Sequence, residues 1–321
     1  MTSWGILGAG SIGGSLARDL LAAGESVLVC DPRERAVASL ADRGALVAGS
    51  LGELARRCEI VACCVPEVRA PAATAALLEA GPGCLVVETA RLKGRVVRHL
   101  QGQGLGHDLG RRCFPARPLV ESASGWRRAR TGLFDEELFA FALEPGWELD
   151  PGALDHAFEL LRICRARAVF ATAKQLDEAA ARYEQLPLLL ASGRAERARE
   201  DPLEGLLSGP AYRELTGGAA RAPGDAAEAL LGNGELLESE LDRLIREAGE
   251  WRELVSRRDL RGLRQRLERG EFARARLGAV RWQKRPRQEI TVPATAAALL
   301  EVRGPVRALD REGERLHLTI G

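Results

Sequence analysis

Gly8, Gly10 and Gly13 stand in a G-x-G-x-x-G spacing, and an acid, Asp31, follows at the distance a ribose contact needs. These residue types can cradle a phosphate chain. Gly8 permits a tight turn out of a strand, Gly10 leaves room for a pyrophosphate, and Gly13 lets a helix approach the sheet closely. Phosphate oxygens would rest on the amide hydrogens of Ser11 and Ile12, where the helix begins. Asp31 can accept hydrogen bonds from a ribose 2′-hydroxyl and repels a 2′-phosphate, which favours NAD. Arg33 and Arg35 lie close enough to weaken that preference, leaving NADP as the alternative.

The elements around this cradle are the ones it requires. Ile6 and Leu7 end a short apolar strand, residues 11–23 follow a helical pattern, and Val27 to Cys30 form a second apolar run. Helices over 33–43, 51–57, 69–79 and 93–101 then alternate with strands at 46–47, 59–66 and 84–90. Val65 and Pro66 close the 59–66 strand at its carboxyl end, where open α/β sheets hold their ligands. The alternation predicts an α/β fold with a doubly wound, mostly parallel Rossmann sheet over residues 1–172. Cys113–Phe114, Leu138–Leu143 and Val169–Ala171 are its expected outer strands.

From Gln175 the pattern turns helical, over 175–191, 203–215, 225–248 and 250–276. A helical second domain is therefore expected over 173–278, with a leucine-rich face that includes Leu230, Leu237 and Leu241 and could pack within the domain or in a twofold dimer. Residues 279–321 form an extension with short strands. The cluster Arg281, Lys284, Arg285 and Arg287 lacks the aromatic support that nucleic-acid binding needs and reads as a solvated linker.

Bulk composition excludes several classes. The chain has 321 residues, 46% of them hydrophobic, and a net charge of +1, so neither disorder nor a nucleic-acid field is suggested. No uncharged apolar run is long enough to span a membrane. The seven cysteines include no C-x-x-C, and Cys63 and Cys64 point to opposite faces of a strand, so free thiols and no metal site are expected. The opening residues enter a strand directly, without a signal-peptide pattern. A cytoplasmic location is the resulting expectation.

Over residues 1–276 the chain resembles the prephenate/arogenate dehydrogenase family. The resemblance is carried by the glycine fingerprint, ACCVP at 62–66, ETARLK at 88–93, RPLVESASG at 117–125, LDEAAARYEQLP at 176–187 and AYRELTGGAA at 211–220. It implies oxidation of a cyclohexadienyl acid by NAD or NADP, with the substrate between the two domains. It also implies a homodimer built through the helical region around Asn233.

The chemical positions depart from the family's pattern. Its general base, a histidine, is Gln185 here, preceded by Glu184 and followed by the retained Leu186-Pro187. Asp177 is retained. The family's histidine-proline pair is Arg117-Pro118, with Glu121 near a replaced glycine. A serine has become Arg91, and a substrate-gripping arginine has become Gly217. Glutamine cannot take a proton from a carbinol, though its amide can orient a carbonyl or water.

Arg91 and Arg117 together could clamp a carboxylate, with Glu121 and Gln185 as further substrate contacts. Glu184, Glu121, Tyr183 and Lys174 are the candidate proton acceptors, and Lys93 supports the cofactor-side loop. Adjacent helical residues point about 100° apart, which sets Gln185 toward the cleft and Glu184 away from it. The function expected is an NAD-dependent oxidoreductase acting on an altered carboxylated cyclic or hydroxy/amino acid, in aromatic or specialised metabolism. The alternatives are a catalytically silent dimer that binds a dinucleotide or metabolite, and a weak parent activity with a substitute base.

Overall fold

A computed structural model describes residues 3–120, 125–197, 202–220, 223–282 and 288–320. Its first half alternates β1 (Ser3–Leu7), α1 (Ser11–Ala22), β2 (Ser26–Cys30), α2 (Glu34–Ala41), β3 (Leu46–Val47), α3 (Leu51–Arg57) and β4 (Ile60–Cys63). α4 (Ala70–Ala80), β5 (Leu85–Glu88), α5 (Lys93–Gly102) and β6 (Cys113–Pro118) continue it. β7 (Leu138–Ala142), α6 (Pro151–Ile163) and β8 (Arg167–Ala171) follow. The strands from β3 to β6 are parallel in the order β3-β2-β1-β4-β5-β6, the doubly wound arrangement that the alternation implies.

Both faces of this sheet are covered, so its strands read as nearly continuous apolar runs. Along β4, Ile60 and Ala62 join the core shared with Leu16, Leu20 and Phe158. Val61 and Cys63 join the opposite core, with Leu54, Leu77 and Leu100. All seven cysteines are free.

A capping box at Thr172, whose side chain bonds Gln175, starts the helical region. It runs through α7 (Ala173–Ala180), a π-helical turn (Ala181–Gln185), α8 (Leu186–Arg197), α9 (Pro202–Leu207), α10 (Pro210–Thr216) and α11 (Pro223–Gly232). It ends in two long helices, α12 (Gly234–Ser256) and α13 (Leu260–Trp282). The break between them comes later than the 248–250 expected. Arg258 adopts a φ of 52°, and the Asp259 carboxylate accepts from Gly262 N to start the next helix. Among the described residues, no helix is long and apolar enough to cross a membrane. Lys284, Arg285 and Arg287 lie outside the described residues.

The C-terminal extension supplies β9 (Gln288–Pro293), α14 (Ala296–Leu300), β10 (Val306–Glu312) and β11 (Arg315–Ile320). These strands continue the first sheet. β6 pairs antiparallel with β7, β7 runs parallel to β8, and β10 joins β8 through Val306 and Ala168. Among the described residues the result is one eleven-stranded sheet, with β11 and β9 completing the far edge. Val306, Leu309, Leu316 and Leu318 are buried in the same core as Phe158. Leu309→Ala should therefore destabilise the sheet domain by about 2–5 kcal/mol. Denaturant unfolding should show one shifted cooperative transition; a separate early transition of the extension would contradict this integration.

Candidate functional site

The glycine turn is held by close backbone packing. Gly8 has a φ of 95°, and a Cβ there would stand 2.5 Å from the Cys64 carbonyl oxygen. A Cβ on Gly13 would lie 1.9 Å from the carbonyl oxygen of Gly8. Gly10 is different: its nearest neighbour would be Arg33 Nη2 at 3.8 Å, so the space in front of it is open. Gly10 also begins α1 with no side-chain cap, which leaves the helix start to an anion. The residues present therefore fit a dinucleotide phosphate. The segment after β6 is strapped along α1, with Arg130 N donating to Ser15 Oγ at 3.0 Å and Gly132 N to Asp19 Oδ1 at 2.7 Å.

A cleft of about 250 Å³ opens from this turn. Gly10, Ser11, Ile12 and Arg33 form one wall, Val65 and Pro66 the strand end, and Arg91 and Arg117 the far side. Gly8, Gly13 and Asp31 lie behind it as framework. Cys64 also borders the cleft, but burial pushes its thiol up to about 12, which keeps it protonated and a poor nucleophile. Glu121 lies outside the described residues. Glu228 and Ala229 of α11 complete the rim; their helical pattern alone did not mark them.

The start of α5 is already occupied. Glu67 accepts from Arg91 N at 2.8 Å and Leu92 N at 3.1 Å. Asp177, arriving from α7, accepts from Lys93 N at 2.7 Å and Gly94 N at 2.9 Å. Two carboxylates thus cover the helix start, so an incoming anion finds α1 open and α5 closed. Nothing in the local sequence singles out Glu67. Lys93 is fully buried behind the cleft, where Nζ donates to Glu88 Oε2 at 2.7 Å and Ala116 O at 3.0 Å. Burial pushes the Glu88 carboxyl up, against the pull of Lys93. Lys93 braces β5 to β6 and does not reach the cleft.

The expectation that Gln185 faces the cleft is not met: neither Gln185 nor Glu184 lines it, and both border a small adjoining cavity with Arg91. Gln185 is buried, its Nε2 donating to Ala229 O at 2.9 Å and its Oε1 accepting from Asn233 Nδ2 at 2.8 Å. Asn233 Nδ2 also donates to Asp177 O at 2.9 Å. The amide of Gln185 is thus spent on joining the π-turn to α11 and α12. Glu184 instead reaches Arg117, with which it forms an ion pair and hydrogen bond. The cause is the π-turn, which widens the helix by one residue and resets its faces. Tyr183 is 63% exposed, and Lys174 lies 3.8 Å from Glu178 at the surface, so neither enters the cleft. Gly217 faces open space.

Arg117 is drawn from β6 into a nearly dry position, with its side chain 5% exposed. It faces the cleft on one side and Glu184 on the other, so the pair spans from the sheet to the helical region. Arg91 is exposed at the cleft edge. Among the described residues, no group of three or more metal-ligating side chains is present.

This geometry defines a class, a Rossmann domain with an open phosphate cradle and a helical domain closing one side of its cleft. Residues 3–91 match the family model described as NADP oxidoreductase coenzyme F420-dependent. No match emerges among curated proteins.

Solved structures identify the two-domain architecture more closely. A Corynebacterium glutamicum protein provisionally named a prephenate dehydrogenase superposes with a TM-score of 0.77 at 24% identity, over 87% of this chain and 88% of that one. Prephenate dehydrogenase from Aquifex aeolicus, in complex with hydroxyphenyl propionate and NAD+, gives 0.76 at 17% identity, over 86% and 98% of the two chains. Synechocystis arogenate dehydrogenase gives 0.71 at 18% identity, over 86% and 99%. The chain has the prephenate and arogenate dehydrogenase fold.

Asp177 connects the two halves of this fold. Asp177→Ala leaves Lys93 N and Gly94 N buried without their acceptors and should cost about 2–4 kcal/mol in urea unfolding. Asp177→Asn should recover part of that loss; equal stability of all three proteins would contradict a bracing role.

Proposed function

We propose that the protein is a nicotinamide-dinucleotide-dependent oxidoreductase acting on a carboxylated cyclic or hydroxy/amino acid, in the lineage of the prephenate and arogenate dehydrogenases. One observation carries this reading: the open helix start at Gly10–Ser11 and the dry guanidinium of Arg117 face the same cleft. When bound, the dinucleotide supplies a hydride acceptor or donor. Gly10, Ser11 and Ile12 hold its phosphates, and Val65 and Pro66 border it at the strand end.

Arg117 suits a substrate carboxylate, because a planar guanidinium in a dry site binds one through two parallel hydrogen bonds. Arg91 lends a second positive charge at the edge. An incoming carboxylate competes with Glu184 for Arg117, and exchange releases the Glu184 carboxylate as a group able to accept a proton. Gln185 has no such capacity. This replaces the parental chemistry and supports an altered substrate.

A silent binding protein is the second reading, favoured by the complete structural use of the Gln185 amide. Exposed Leu260, Leu267 and Phe272 on α13 support assembly as a homodimer through the helical region. The free thiols fit a reducing compartment, the cytoplasm.

Calorimetric titration with NAD and NADP, followed by turnover assays with prephenate, arogenate and related acids, tests the proposal. Arg117→Ala should raise KM for the acid that turns over by about 100-fold while dinucleotide affinity stays unchanged. Binding without turnover across the panel would favour the silent reading, and no dinucleotide binding would defeat both. Sedimentation should give a mass twice the 34.6 kDa of the chain, and a monomer at micromolar concentration would remove the dimer.

A further inference from the structure

The mouth of the cleft carries a discrimination that the order of residues alone conceals, and it rests on the dinucleotide reading above. The Asp31 carboxylate closes β2 and is only 2% exposed. Oδ2 accepts from Ala9 N and from Arg33 Nη2, both at 2.7 Å. Oδ1 accepts from Arg33 N at 2.8 Å and Arg33 Nε at 2.9 Å. A carboxylate offers about four acceptor positions. All four are taken by the protein itself, and a ribose hydroxyl finds no acceptor there.

What the cleft presents in place of the carboxylate is the Arg33 guanidinium. Its side chain is 49% exposed, it lines the cleft, and its Nη2 stands beside the open space at Gly10. Nε and Nη2 engage Asp31, while Nη1 has no partner among the described residues. Burial alone would raise the Asp31 carboxyl, but the hydrogen bonds from Arg33 and Ala9 outweigh it and hold the group ionised below the usual range. The acid therefore acts as a fixed anchor beneath the guanidinium.

We propose that Arg33 receives a phosphate at the adenosine 2′ position, so that NADP(H) binds in preference to NAD(H), with Asp31 as the residue that positions it. A 2′-phosphate carries between one and two negative charges and several strong acceptors, chemistry suited to the free edge of a guanidinium. It would meet Arg33 first and the carboxylate only beyond it, and Coulomb attraction favours the nearer charge. Arg35, two residues on and exposed, adds to the positive field. A 2′-hydroxyl must instead displace Arg33 from two charge-assisted hydrogen bonds or remain unpaired at Asp31. The expectation of NAD treated Asp31 as a bare acceptor, and its contacts with Arg33 remove that premise.

Fluorescence titration of the purified full chain with NADPH and with NADH tests the assignment. NADPH should bind at least about tenfold more tightly than NADH. Arg33→Ala should weaken NADPH by about tenfold or more, and should leave NADH unchanged or tighter, because it uncovers Asp31. Arg33→Gln, which keeps a donor to Asp31 without the charge, should lose NADPH affinity similarly, and circular dichroism checks that both variants are folded. Equal affinity for the two nucleotides, tighter NADH, or NADPH binding indifferent to Arg33 would overturn this assignment while leaving the dinucleotide reading intact. Failure of both nucleotides to bind would overturn the dinucleotide reading and this inference with it.

Discussion

The structure depends on how the start of α5 is satisfied. Backbone N–H groups at the head of a helix need acceptors, and here Glu67 accepts from Arg91 and Leu92 at the entry to α5 and Asp177 from Lys93 and Gly94 in its first turn. Asp177 comes from the helical region, so the same bonds that cap a sheet-domain helix also fix where the second domain sits. Asn233 then ties the Asp177 carbonyl to Gln185, and Gln185 to Ala229. The wall of the cleft is thus located by a chain of buried polar contacts, each of which would be costly to leave unmade.

That arrangement also decides where negative charge can bind. α1 and α5 both start at the carboxyl edge of the parallel sheet with no cap from their own N-cap residue, yet only α5 has its start covered by carboxylates from elsewhere in the chain. The open helix start is accessible to an anion, the covered one is not, and further positive charge in the cleft lies on Arg33, Arg91 and Arg117. Each arginine has a different setting. Arg33 is pinned by an acid beneath it, Arg91 is exposed, and Arg117 is nearly dry and shared with Glu184. Guanidinium groups that look alike in sequence acquire separate roles from burial and from the partner each one meets.

Much of the sheet domain was legible in the sequence because its signals are local. The glycine spacing, the apolar strands and Pro66 lie within short stretches whose geometry follows from backbone sterics. The extension was legible as short strands but not as part of the same sheet, since β10 meets β8 across more than a hundred residues of chain. Positions 184 and 185 were misoriented because a regular helix was assumed, whereas the π-turn directs Glu184 to Arg117 and Gln185 to Ala229 and Asn233. Glu67 was missed because an acid in a loop has no distinguishing neighbours until α5 is placed beside it.

By itself, the sequence determined the glycine turn, the order of the elements and a glutamine, with no basic nitrogen, at position 185. These follow from which residues can adopt a left-handed turn, alternate across a strand or accept a proton. Tertiary structure alone decided that Glu184 meets Arg117, that Gln185 is consumed in a brace, and that Arg33 covers Asp31. A side chain's chemistry is fixed by its atoms, but its availability depends on the hydrogen-bond partners that folding brings to it, some of them dozens of residues away.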